Sequence, residues 1–199
     1  MDIRRVLDCP SLYQIWQAPF VAQKVAPFLA ANDVSRIGRV LEIGCGPGTN
    51  APLFTHTDYV GIDLNPDYVA SARRRYGRAF LCGDAASFEL EDAAPFDAVF
   101  INSLLHHLDD SAVEATISRA AGALRPGGQF HLCDLVLPEQ TSVARVLAKA
   151  DRGDFARPIP AWRELLTHRF QTDLLETYSV RFCSLNCWQM FYFRGVCRD

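Results

Sequence analysis

The stretch R-V-L-E-I-G-C-G-P-G-T-N at residues 39–50 decides the fold. Val40, Leu41 and Ile43 form a short apolar run interrupted by Glu42, and Gly44, Gly46 and Gly48 follow at alternate positions. The run predicts a buried strand. The glycines let the backbone turn sharply and approach a ligand where a Cβ would clash. A helix start is expected directly after them. Strand, glycine loop and helix together are how an α/β sheet holds a nucleotide-like ligand at its carboxyl edge. A dinucleotide fingerprint reads G-x-G-x-x-G, and Thr49 stands here at its last position. The pattern E-x-G-x-G-x-G therefore fits a ligand without a pyrophosphate better than it fits NAD.

Outward from this loop, Y-V-G-I-D at 59–63 predicts a second strand ending in an acid, about 20 residues beyond the glycines. Asn65 and Pro66 read as the cap and first residue of a helix over 66–76. Further strands are expected at 79–82, 98–101 and 129–135. A helix over 110–124 carries Val113, Ile117, Ala121 and Leu124 on one face and stops at R-P-G-G. The alternation predicts an α/β fold with a doubly wound, mostly parallel sheet. Upstream, residues 11–31 are helical, and Pro19 and Pro27 predict two short helices or one kinked helix. Downstream lie helices at 142–149 and 161–169 around a polar loop at 151–160. Two β-rich runs, 173–183 and 187–196, read as a C-terminal antiparallel hairpin edge. The chain thus divides into an N-terminal helical cap (1–38), a ligand-binding core (39–137) and an acceptor-side insertion with terminal strands (138–199), all within one domain.

At 199 residues, 49% hydrophobic and 22% charged, the chain has the size and balance of one soluble α/β domain. A net charge of −3 argues against a nucleic-acid footprint, and the one basic cluster, Arg73, Arg74, Arg75 and Arg78, reads as a solvated helix face. Seven scattered cysteines without a C-x-x-C pair read as free thiols in a reducing compartment. No metal site is expected, since Cys183 and Cys187 lack neighbouring histidines. The first residues lack the apolar core of a signal peptide, and no run approaches the roughly 20 apolar residues of a membrane helix. A cytoplasmic protein without membrane insertion is the expectation.

Five segments in order resemble the motifs of class I S-adenosylmethionine-dependent methyltransferases: E-I-G-C-G-P-G at 42–48, G-I-D-L-N at 61–65, G-D-A at 83–85, F-D-A-V-F-I-N-S-L-L-H-H-L at 96–108 and L-R-P-G-G at 124–128. The resemblance covers residues 39–135. It implies a seven-stranded Rossmann-like sheet, S-adenosyl-L-methionine as cofactor and S-adenosyl-L-homocysteine as product. It places Gly44, Gly46 and Gly48 against the methionine and ribose, Glu42 as the acid that steadies their loop, and Asp63 on the ribose hydroxyls. Asp84 and Ala85 fall to the adenine edge, Leu64 and Phe88 to its faces, and Asn102 and Ser103 beside the transferable methyl. His106 and His107 read either as a general base near the acceptor, imidazole titrating near neutral pH, or as a helix cap and a packing residue. Acceptor-side candidates are Tyr13, Trp16, Asp134, Asp151, Arg152, Arg157 and Trp162. An arginine in the 151–157 loop would hold an acceptor phosphate or carboxylate, or would brace its own loop through an Asp–Arg pair.

The subgroup motifs of DNA amino-methylating and cytosine-methylating enzymes and the acidic cluster of metal-dependent members are absent from the sequence, which points to a small-molecule acceptor. Competing readings are a nicotinamide oxidoreductase, which leaves G-D-A and L-R-P-G-G unexplained, a catalytically silent cofactor-binding protein, and a protein or RNA methyltransferase. The sequence is silent on oligomeric state.

Overall fold

The structure, a computed structural model, describes residues 10–90, 94–150 and 153–198, with side chains from residue 20 onward. Its elements are α1 (Pro10–Ala31), β1 (Arg39–Ile43), β2 (Asp58–Asp63), α2 (Pro66–Tyr76), β3 (Ala79–Cys82), β4 (Phe96–Asn102), α3 (Asp110–Ala123), β5 (Leu124–Leu135), α4 (Val143–Ala150), α5 (Ile159–Thr167), β6 (Phe170–Phe182) and β7 (Leu185–Cys197). One seven-stranded sheet runs in the order β3-β2-β1-β4-β5-β7-β6. The strands β1 to β5 run parallel to one another, and β7 runs antiparallel to both β5 and β6. The order reverses between β1 and β4, so the ligand crevice of such a sheet opens at their carboxyl ends.

Side-chain alternation along β1 supplies both layers. Leu41 and Ile43 pack with Val99, Ile101, Phe130 and Phe191 beneath α3 and α5, through Val113, Ile117, Trp162 and Leu166. Val40 packs on the other face with Tyr59, Phe100 and Tyr192 beneath α1 and α2, through Val25, Phe28, Val69 and Ala72. The predicted cap of α2 is present: the Asn65 side chain accepts from Asp67 N and Tyr68 N, and Gly77 closes the helix in a left-handed conformation.

Four sequence expectations need correction. The helix α1 runs unbroken through Pro19 and Pro27, so the two-helix alternative falls. Each proline forfeits one backbone bond, and burial of Phe20, Val25 and Phe28 holds the helix across them. The helix expected after the glycine loop is only a four-residue 3-10 turn, Ala51–Phe54. The L-R-P-G-G segment does not cap α3. It is the extended start of β5, where pairing with Phe96 shifts register. A Cβ on Gly128 would fall 2.9 Å from Arg125 O and 3.0 Å from Phe96 O, so the glycine serves this irregular crossing. Neither histidine caps α3. Asp109 does, its carboxylate accepting from Ala112 N.

Candidate active site

The glycine loop leaves β1 in a conformation that only glycine adopts freely: Gly44, Gly46 and Gly48 have φ of 76°, 53° and 78°. Gly44 N and Cys45 N both donate to Ile62 O, at 2.8 and 2.9 Å, which folds the loop back onto β2. A Cβ on Gly44 would meet the Leu104 side chain at 2.8 Å, and one on Gly48 would meet Tyr76 at 2.8 Å. A Cβ on Gly46 would stand with no protein atom within 4 Å, so this glycine borders open cleft.

Asp63, at the end of β2, joins this loop. Its Oδ2 accepts from Gly46 N at 2.7 Å and its Oδ1 from Asn65 N at 2.9 Å. Burial raises the Asp63 carboxyl, and these two N–H donors oppose the rise without cancelling it. Each oxygen keeps acceptor capacity for a ligand hydroxyl. Asp63 pairs with Cys82 across β2 and β3, which brings Leu64 and the turn at Asp84 and Ala85 side by side. Leu64 is 68% exposed, a bare apolar surface at the cleft. Asp84 is exposed and accepts from Ala86 N at 2.7 Å. Phe88 does not offer a face beside Leu64: it is 7% exposed and belongs to the core with Ile62.

Glu42, the acid expected to steady the glycine loop, lies beneath it and holds Asn50. It is fully buried, Asn50 Nδ2 donating to its Oε1 at 2.8 Å and Tyr59 OH to its Oε2 at 2.6 Å. Burial pushes its carboxyl up to about 7, against those two hydrogen bonds and with a further upward push from Asp63. Sequence reasoning missed Asn50 and Tyr59. Asn50 closes the glycine stretch and Tyr59 opens the next strand, and only the fold aims both at the same acid.

Asn102 and Ser103 end β4 beside this network. Asn102 Nδ2 donates to Asn50 Oδ1 at 3.4 Å, and Ser103 Oγ donates to Asn102 Oδ1 at 3.1 Å. Ser103 has a φ of 57°, a strained value for a residue with a side chain.

Past Ser103, His106 is 4% exposed and its Nδ1 lies 2.5 Å from Asp134 Oδ1. Asp134 also accepts from Leu105 N at 2.8 Å and Leu135 N at 2.6 Å. Burial alone would raise the Asp134 carboxyl. His106 and these donors outweigh burial and hold it below the usual carboxylate range. The assignment of Asp134 to acceptor contact is therefore corrected: with no exposed surface, it orients His106. His107 is exposed and its ring lies 4.2 Å from that of His106. Gly153 presses on the same turn, since a Cβ there would fall 2.7 Å from His106 O.

Arg157 is also corrected. Its Nε donates to Asp110, Nη1 to Leu105 O and Phe155 O, and Nη2 to Leu108 O and Asp110. Its donors go to Asp110, to the turn that carries the histidines and to Phe155 O, so Arg157 ties its loop to that turn rather than pairing with an acid inside the loop. Trp162 is buried with Nε1 donating to Leu135 O at 2.9 Å, so it packs inside rather than facing an acceptor. The side chains of Tyr13 and Trp16, and residues Asp151 and Arg152, lie outside the described residues. Among the described residues no helix is long and apolar enough to cross a membrane.

Residues 40–128 match the family described as "Methyltransferase domain". The chain is 33% identical over 155 residues to a trans-aconitate 2-methyltransferase of Variovorax paradoxus, covering 75% of this chain and 58% of that protein. It is 39% identical over 103 residues to a fatty-acid O-methyltransferase of Mycolicibacterium smegmatis, covering 48% and 36%. The chain thus spans about half the length, or less, of these curated relatives. Among solved structures, the phosphoethanolamine N-methyltransferase 2 of Haemonchus contortus superposes with a TM-score of 0.77 at 16% identity, over 98% of this chain and 59% of that one. The order of the strands, the glycine loop at their switch point and the match over residues 40–128 agree: that part of the chain is a methyltransferase domain of the class I S-adenosylmethionine-dependent type.

Proposed function

We propose that this chain transfers a methyl group from S-adenosyl-L-methionine to a small-molecule acceptor by in-line displacement and releases S-adenosyl-L-homocysteine. The observation that carries the reading is the cleft at the β1/β4 switch point, where Gly46 borders open space and Asp63 keeps acceptor capacity next to an exposed Leu64. Those residues fit the cofactor: bare backbone for its chain, a carboxylate for its ribose and an apolar surface for its base. Asp84 and Ala85 would hold the adenine edge. Bound there, the cofactor supplies a sulfonium methyl as the electrophile, so the protein chiefly aligns the partners and excludes water.

His106 is the residue for proton removal. Asp134 engages its Nδ1, which leaves Nε2 as the ring nitrogen able to accept a proton from an acceptor hydroxyl or amine. The names of the two curated relatives, with their trans-aconitate and fatty-acid substrates, favour a second reading in which the acceptor is a carboxylate. A carboxylate brings no proton to remove at neutral pH, and His106 would then only shape the pocket. Both readings keep a small molecule as the partner.

The test is transfer of label from methyl-labelled S-adenosylmethionine into a size-fractionated extract. The expected result is label in a small-molecule fraction that resists protease and nuclease. Label in protein or RNA would overturn the acceptor class. Cofactor binding without transfer to any fraction would favour a catalytically silent binder.

A further inference from the structure

A single line of hydrogen bonds joins the floor of the glycine loop to the tip of β4. Ser103 Oγ donates to Asn102, Asn102 to Asn50, and Asn50 to Glu42, which Tyr59 OH approaches from the other side. Asn50 and Glu42 are buried, and Asn102 is partly exposed at the end of the strand adjoining the loop. Every donor points toward Glu42. The reason is chemical: an ionised carboxylate only accepts, so Asn50 must turn its amide nitrogen to it and its amide oxygen to Asn102. Asn102 must answer with its own nitrogen, which leaves its oxygen on the Ser103 side. A neutral Glu42 carries a proton and can donate to Asn50. Both amides are then free to reverse, and reversal makes Asn102 offer N–H where it had offered C=O.

We propose that Asn50 is a positioning residue that transmits the charge of Glu42 to Asn102, so that an ionised Glu42 makes Asn102 present an acceptor to the cofactor cleft and a neutral Glu42 makes it present a donor. The strained backbone of Ser103 fits this role, because its left-handed conformation turns Oγ back onto Asn102. An acceptor at that place favours a cationic ligand over a neutral one. The relay therefore discriminates the sulfonium cofactor from its uncharged thioether product.

The groups that face Glu42 are known from each side. Tyr59 comes from β2, Cys45 from the loop and Asp63 from the end of β2. Arg78 stacks on the outer face of the Tyr59 ring at 5.0 Å. Burial lifts the thiol of Cys45 and the phenol of Tyr59 far upward, so of these three Glu42 alone titrates near neutrality.

The inference rests on the cofactor reading, and the test separates the two. Calorimetry gives Kd for S-adenosylmethionine and for S-adenosylhomocysteine from pH 6 to 8.5, in the wild type, Glu42→Gln, Asn50→Leu and Tyr59→Phe. The expected result is a preference for the cationic ligand that strengthens roughly tenfold across pH 7 in the wild type relative to Glu42→Gln, the scale of one charge-assisted contact. The comparison cancels titration of the ligands themselves. Asn50→Leu should lose the same pH dependence. Tyr59→Phe removes a donor that lowers the Glu42 carboxyl, so its midpoint should move to higher pH, a shift that mere loosening of the loop does not produce. Equal profiles in the wild type and Glu42→Gln overturn the relay and leave the cofactor reading intact. Failure of the wild type to bind either ligand removes both.

Discussion

Replacing Glu42 by Gln should make the protein more stable in alkaline solution and leave it little changed in acid. The native carboxyl is pushed from 4.5 to about 7, chiefly by burial. A group whose folded value is raised holds its full stability below its unfolded value and loses it as pH climbs through the folded value. Between pH 4.5 and about 7, Glu42 therefore withdraws about 3 kcal/mol from the folded state, at 1.36 kcal/mol per pH unit. Glutamine keeps the shape, accepts from Asn50 and can donate to the Tyr59 oxygen, and it never ionises. The assay is urea unfolding of both proteins, without cofactor, from pH 4 to 8.5. The wild type should fall behind the variant by about 3 kcal/mol across this range and then run parallel above pH 7.5. In melting temperature this is roughly 2–4 °C per kcal/mol for a chain of this size. Parallel curves over the whole range would refute the reasoning, because they would mean that Glu42 ionises in the fold as freely as in water.

Asp63→Ala should weaken cofactor binding by roughly 10- to 100-fold, the loss of one or two charged hydrogen bonds, with a smaller change in melting; unchanged affinity by calorimetry would show that the second motif is misassigned. Gly46→Val places a β-branched side chain at a φ of 53° in the open cleft, so binding should vanish while far-UV circular dichroism stays native. His106→Asn should lower kcat by roughly 10²–10⁴ with cofactor Kd unchanged if the acceptor carries a proton on its attacking atom, and by much less if the acceptor is a carboxylate. Arg157→Ala strips donors from three carbonyls and should cost about 3 kcal/mol in unfolding experiments; a raised KM with unchanged stability would instead mean that Arg157 holds the acceptor.

The core of the fold was legible because its signals are local. A glycine triplet, an acid after an apolar run and an Asn-Pro cap each act within a few residues, and they mark β1, β2 and α2 closely. The errors arose where tertiary contacts override local preference. Burial carries α1 through its prolines, and the crossing at Phe96 recruits the R-P-G-G glycines into β5. The residues assigned to the cofactor likewise stand in the loops at the strand ends, where the local motifs put them. The parts that were missed or misplaced depend on partners distant in sequence. Asp134 is 28 residues from His106, and Arg157 is 47 from Asp110. Nothing near those residues in the chain reveals that one is buried against an imidazole and the other spent on carbonyls.

Gly61 has a consequence for how this sequence can drift among its descendants. A Cβ there would fall 2.8 Å from the Tyr59 hydroxyl, 2.8 Å from Phe80 and 2.9 Å from the Cys45 sulfur. Four positions thus compete for one small volume beneath the cofactor loop. A side chain gained at 61 is tolerable only if the occupant of 45, 59 or 80 shrinks. When the tyrosine is the one to shrink, the buried acid loses its hydroxyl partner and has reason to change as well. Residues 42, 45, 59, 61 and 80 should therefore vary as a set across relatives, with tyrosine at 59 accompanied by glycine at 61 wherever glutamate holds position 42.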